Sequence, residues 1–174
     1  MTANLITTLI IGALLGKIVA ALFFMSVFIP LRSTAGGYHC ETAGKCYLLS
    51  MAVYLAVILT YDFVLVAPSY VFAFVCVFDL AAIIILSPVV SPNKPFSAKE
   101  KIKNRRISIA LSLIYLTAIL VMMNCKIVYA FVILESLTAA VVSMIAGFIK
   151  YKKAPKTTIQ PSKTTVQTNF DTKQ

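Results

Sequence analysis

RSTAGGYHCETAGKC, residues 32–46, is a short polar stretch between two long apolar runs. It holds the only histidine of the chain, two of its four cysteines and three of its six glycines. Upstream lies an apolar run over 5–29, closed by Pro30; downstream lies another over 46–67. Runs of roughly 20 apolar residues are long enough to cross a bilayer core. The stretch therefore reads as the connection of a membrane hairpin, and the fold class as all-α, a polytopic membrane helical bundle. Composition agrees: of 174 residues, 60% are hydrophobic and 13% charged, against about 25% charged in soluble domains.

Outward from this connection, three further runs occupy 70–90, 107–123 and 127–149. The expectation is five membrane helices, or six if one run is broken or interfacial. They form one membrane-embedded domain over 1–150. The tail 151–174 is basic and polar, lacks the apolar residues to build a core, and is expected to be disordered.

The net charge of +10 is concentrated in two places. The segment 91–106, SPNKPFSAKEKIKNRR, is expected to be a loop and sets six basic residues against Glu100; Lys150, Lys152, Lys153 and Lys156 stand where the last apolar run gives way to the tail. The positive-inside rule accounts for this charge by topology, and no nucleic-acid motif accompanies it. The loop, the tail and the 32–46 stretch are then cytoplasmic and the N-terminus outside. A reducing cytosol disfavours a Cys40–Cys46 disulfide. The opening MTAN carries no basic residue, so no signal peptide is expected.

Lys17, Asp79 and Glu135 fall within apolar runs, with Asp62 near the end of another. Charges in a membrane interior are costly and face a partner or a cavity. Lys17 pairs with Asp79 or Glu135, or each finds a hydroxyl or backbone group and pins helix packing. The same residues support a rival reading, a small transporter or channel subunit working through Asp79 and Glu135. Gly12, Gly16 and Ala20 lie four apart and allow close helix approach, serving a homodimer face or an internal contact.

The 32–46 stretch has the parts of a cysteine nucleophile: a thiol, an imidazole and a source of oxyanion donors. His39 is the only imidazole. Cys46 stands where a helix should begin, and helix N-termini favour negative charge. Seven residues of continuous helix would separate His39 and Cys46 by about 10.5 Å, so the segment must fold back, which Gly36, Gly37 and Gly44 permit. Cys40 is the weaker candidate, because adjacent side chains diverge. A metal site on His39, Cys40 and Cys46 lacks a fourth protein ligand. On spacing alone, a plain turn with incidental His and Cys explains the stretch at least as well.

The run Arg32, Gly36, Gly37, His39 and Cys46 resembles the signature of the AgrB family, bacterial membrane cysteine endopeptidases that process precursors of cyclic quorum-sensing peptides. The segment SPVVSPNKPFSAKEK after the third run, with Pro88, Pro92, Lys94 and Pro95, is similar to a Lys-Pro loop of that family, and a glutamate like Glu135 recurs there. The resemblance implies an even number of spans, against the five counted here. It implies that His39 and Cys46 are the catalytic pair, that the substrate is an AgrD-like propeptide with an acidic C-terminal tail, and that no cofactor is needed. It implies that a thioester on Cys46 is resolved by the substrate's own Cys or Ser to a thiolactone or lactone. Arg32, Gly37, Lys45 and Lys94 are expected to help bind substrate, the lipid bilayer to be the solvent, and a homodimer to be the assembly.

Overall fold

The computed structural model describes residues 2–38, 42–64, 69–89, 97–125 and 127–153. Six helices follow in order: α1 (Thr2–Leu14), α2 (Ile18–Ala35), α3 (Ala43–Val64), α4 (Ser69–Leu86), α5 (Ala98–Asn124) and α6 (Tyr129–Lys153). The bundle is all-α. By length and composition, α2, α5 and α6 can cross a membrane; the apolar stretches Asn4–Leu14, Gly44–Thr60 and Tyr70–Leu86 are shorter.

The sixth helix comes from the first apolar run, which is not one span. It breaks at Leu15–Lys17, with Gly16 at φ +66°. A Cβ on Gly12 would lie 2.7 Å from the Cβ of Ala21 and 3.0 Å from the Tyr54 hydroxyl. In a continuous helix those nine residues would span about 13.5 Å, so α1 folds back along α2. Hydropathy is blind to this break because the residues around it, Lys17 apart, are apolar or small. Gly12 is thereby spent on an internal contact, and Gly16 on the turn. The Tyr47 hydroxyl donates to Thr7 Oγ1 at 2.9 Å, so α1 runs parallel to α3. Its N-terminal end belongs to the Cys46 end of the bundle, not to the opposite end that five unbroken spans would require.

The helix α2 also runs past Pro30 to Ala35 instead of stopping at it. Proline leaves the carbonyl four residues earlier without its helical donor. That carbonyl belongs to Ser26, and the Tyr115 hydroxyl of α5 donates to it at 2.6 Å. A neighbouring helix thus satisfies the freed group, the usual way a proline is tolerated in a membrane helix.

The basic segment corrects a second expectation. Of the segment 91–106, residues 91–96 lie outside the described residues; from Ala98 the chain is already helical. Ser97 caps α5, its N–H donating to the Glu100 carboxylate at 2.8 Å, an arrangement that satisfies amides left open in the first turn. Lys99, Lys101, Lys103, Arg105 and Arg106 therefore stand on the first turns of a helix.

The helix α6 is the hub, packing against α2, α3, α4 and α5. Leu137, Val141 and Met144 of α6 are fully buried with Val27 and Leu31 of α2 and Ile83 of α4. The C-terminal ends of α2, α4 and α6 meet the N-terminal ends of α3 and α5: Val89 N–H donates to Ala35 O at 2.9 Å, and Arg105 to Ile84 O at 3.1 Å. Arg32, Lys45, the start of α5 and Lys150 consequently share one end of the bundle.

Ionisable groups in the helices do not pair as Lys17 with Asp79 or Glu135. Lys17 Nζ donates to Ile58 O at 3.1 Å. Asp79 Oδ2 accepts from Thr138 at 2.7 Å, and Glu135 Oε2 from Thr60 at 3.3 Å. The side chain of Asp62 lies outside the described ones.

Candidate active site

The chain leaves α2 through Gly36, Gly37 and Tyr38, and this short extended segment is held on two sides. On one, Gly36 forms a parallel bridge with Val89, the segment following α4. Gly36 sits at φ +77°, where a Cβ would run into the Val89 carbonyl; both the backbone angle and the space demand glycine there. On the other side lies α6. Tyr38 N–H donates to the carbonyl of Ser143 at 2.9 Å. A Cβ on Gly147 would be 2.7 Å from the Gly37 carbonyl carbon and 2.8 Å from the Tyr38 nitrogen. The absence of a side chain at 147 is what lets the segment lie against the helix. Lys150, one turn on, places its ammonium 4.5 Å from the centre of the Tyr38 ring.

Arg32, in the last turn of α2, ties this segment to α3. Its Nη1 donates to Ser143 Oγ at 3.1 Å. Its Nη2 donates to the Tyr38 carbonyl at 2.8 Å and reaches Cys46 Sγ at 3.6 Å. The guanidinium also lies 5.5 Å from the centre of the Phe28 ring. A planar fork with five donors makes such a multiple contact possible where a lysine could not. One nitrogen thus touches both Cys46 and the carbonyl that leads directly into His39. The Tyr38 oxygen and the sulfur can be no farther apart than those two contacts combined.

Cys46 is the fourth residue of α3, partly buried and a free thiol. Thr42 precedes the helix: its Oγ1 accepts from Lys45 N–H at 3.4 Å, and its carbonyl from Cys46 N–H at 3.2 Å. The amide of Cys46 is therefore committed inside the helix.

Of the residues singled out from sequence, Arg32, Gly37 and Cys46 come together here. Gly37 is buried, its Cα side facing Ser143 Oγ. Lys45 is exposed on the first turn of α3. His39, Cys40, Glu41 and Lys94 lie outside the described residues. Sequence reasoning passed over Ser143, Gly147, Tyr38 and Val89. A signal existed for the first two, small residues four apart in the apolar sequence SMIAG, a spacing that marks close approach in membrane helices.

Arg32, Tyr38 and Ser143 also form one end of a cavity of about 810 Å³ between α3, α4 and α6. Its walls are aliphatic and aromatic, from Val53 and Val57 to Phe72, Val75 and Val142, and Thr60, Glu135 and Thr138 line it farther along.

A family model described as AgrB, accessory gene regulator B, matches residues 1–145. No curated protein and no solved structure matches the chain. The matched region runs from α1 into α6 and takes in Arg32, Gly37, Cys46 and Ser143. With three helices able to cross a bilayer and more than half of its residues hydrophobic, the chain is a membrane protein belonging to the accessory gene regulator B family.

Proposed function

We propose that this chain is a membrane cysteine endopeptidase that removes the C-terminal tail of an AgrD-like quorum-sensing propeptide and promotes its cyclisation. The observation that carries the reading is the contact of one Arg32 nitrogen with both Cys46 Sγ and the carbonyl preceding His39. It ties the thiol to the backbone carbonyl from which the chain continues into its single histidine.

In this mechanism His39 takes the proton of Cys46, and the sulfur attacks the carbonyl carbon of the scissile bond. The fixed guanidinium stabilises the anionic sulfur by opposite charge. Arg32 and the first amides of α3 ahead of Lys45, whose own amide Thr42 holds, stabilise the oxyanion. Collapse breaks the C–N bond, and His39 returns its proton to the departing amine of the tail. The acyl group remains on Cys46 as a thioester. A Cys or Ser of the substrate attacks that carbonyl, forming a thiolactone or lactone and restoring the Cys46 thiol. The step needs no ATP because the thioester keeps the acyl group activated.

The basic end of the bundle then faces the cytoplasm, by the positive-inside rule, and the active site with it. Lys45, Lys94 and the start of α5 attract the acidic tail and the anionic leaflet. Arg32 and Gly37 act on substrate by shaping the site.

The test is mass spectrometry of the cognate propeptide after incubation with the protein in vesicles. Unmodified protein and Cys40→Ala release the tail, while Cys46→Ala and His39→Ala do not. Normal cleavage by Cys46→Ala sinks the reading. The transporter alternative finds less support. Asp79 is fully buried against Thr138 and is absent from the cavity lining.

A further inference from the structure

Resting on the peptidase reading, we propose that the cavity between α3, α4 and α6 is the subsite for the apolar residues on the acyl side of the scissile bond. The tail side is left to the basic surface around Lys45 and the start of α5.

The geometry argues for this in three steps. First, the cavity and the reactive sulfur share residues. Arg32, Tyr38 and Ser143 form its end wall, and Arg32 is the group that touches Cys46. A peptide whose carbonyl lies at the sulfur has one strand leaving towards the cavity and one leaving away from it. Second, the lining sorts the strands. Carboxylates entering walls made of Val53, Val57, Phe72, Val75 and Val142 would lose their hydration, with Arg32 at the end wall as the one cation of the lining and Glu135 farther along repelling them. An acidic tail is therefore excluded, and an apolar acyl segment is accepted. Third, the cavity suits a peptide better than a lipid chain. Its two ends are polar, with Arg32 and Ser143 at one and Thr60 and Glu135 farther along. Ser143 and Glu135 are eight residues apart on α6, about 12 Å along the axis. An extended chain covers that distance in about three or four residues. Its backbone N–H and C=O groups can meet polar side chains at both ends, and its side chains can fill the apolar middle. A hydrocarbon tail can do only the second.

The subsite therefore measures bulk. The three or four residues before the cleaved bond should be large and apolar, and the wall position Ala139 should set how large.

The experiment places a benzophenone side chain at single positions of the propeptide, on either side of the cleaved bond. It is irradiated with the Cys46→Ala protein in vesicles, and adducts are mapped by mass spectrometry. Acyl-side probes should label Val53, Val75 or Val142. Tail-side probes should label those residues at least tenfold less. In parallel, Ala139→Phe in the otherwise unmodified protein should raise KM for the native propeptide. It should do so much less for a propeptide whose last acyl-side residue is alanine. Adducts from acyl-side probes on lipid or on the outer faces of α1 and α5, with none in the cavity, would mean that lipid or a second copy fills it, and the proposal falls. If the adducts map to the cavity but the unmodified protein cleaves nothing, the peptidase reading fails and the peptide site stands.

Discussion

Gly147→Ala tests the idea that α6 is the platform on which the active site is set. The added methyl would sit 2.7 Å from the Gly37 carbonyl carbon and 2.8 Å from the Tyr38 nitrogen, where ordinary van der Waals contact begins at 3.4 Å. Both obstacles are backbone atoms, so no side chain can swing aside. The 36–38 segment must retreat from α6 by several tenths of an ångström. That retreat stretches the Tyr38 to Ser143 hydrogen bond, now 2.9 Å, and drags the carbonyl that Arg32 holds. Stability and activity should then separate. Overpacking costs about 1–3 kcal/mol, but alanine returns about 1 kcal/mol of helix propensity over glycine. The net loss of stability should be near 1 kcal/mol. Misplacement of reacting groups approaching 1 Å costs about 100-fold in rate. The assay is single-turnover cleavage of propeptide in vesicles, beside thermal unfolding of the same preparation in detergent. A Gly147→Ala protein that cleaves as fast as the unmodified one would refute the platform argument, whatever its stability.

Three further outcomes follow from the same contacts. Tyr115→Phe removes the donor to the Ser26 carbonyl that Pro30 leaves open, and should destabilise by about 1–3 kcal/mol. In a Pro30→Ala background the penalty should shrink, because the helix supplies its own donor; equal penalties in thermal unfolding would contradict the account. Arg32→Lys keeps the charge but not the fork that reaches Ser143, Tyr38 and Cys46. With charge-assisted bonds worth roughly 1.5–3 kcal/mol each, kcat should fall by about tenfold or more, and KM little; full activity would show that charge alone suffices. Asp79→Asn keeps an acceptor for Thr138 and should fold and cleave normally, whereas Asp79→Leu should lower the yield of folded protein. Loss of propeptide cleavage in the Asn variant would return Asp79 to the functional site.

Much of the architecture was legible because the bilayer imposes it. A run of apolar residues of sufficient length must be helical, since no water is present to satisfy its backbone. Hence α3, α4 and α6 lie within a few residues of where hydropathy puts them. The start of α5 was not legible in that way, because its first turns are charged and hydropathy reads charge as loop; the signal there was Ser97 with Glu100 three residues later. Arg32, Gly37 and Cys46 stood out as a pattern of residue types in a polar gap. Ser143 and Gly147 did not, because small residues within an apolar helix look the same whether they face lipid, another helix or a loop.

Membrane residence, all-helical class and the approximate place of each long helix follow from local composition, since each is a property of a segment and its solvent. The sequence also offers the candidate thiol and the chain's single imidazole. Where α1 turns back, which helix rescues the carbonyl freed by Pro30, and what Arg32 grips depend on residues 6 to 111 positions apart meeting in space. Those meetings are decided by packing around α6, and only the folded bundle brings Ser143 of its last helix against the segment that leads to His39.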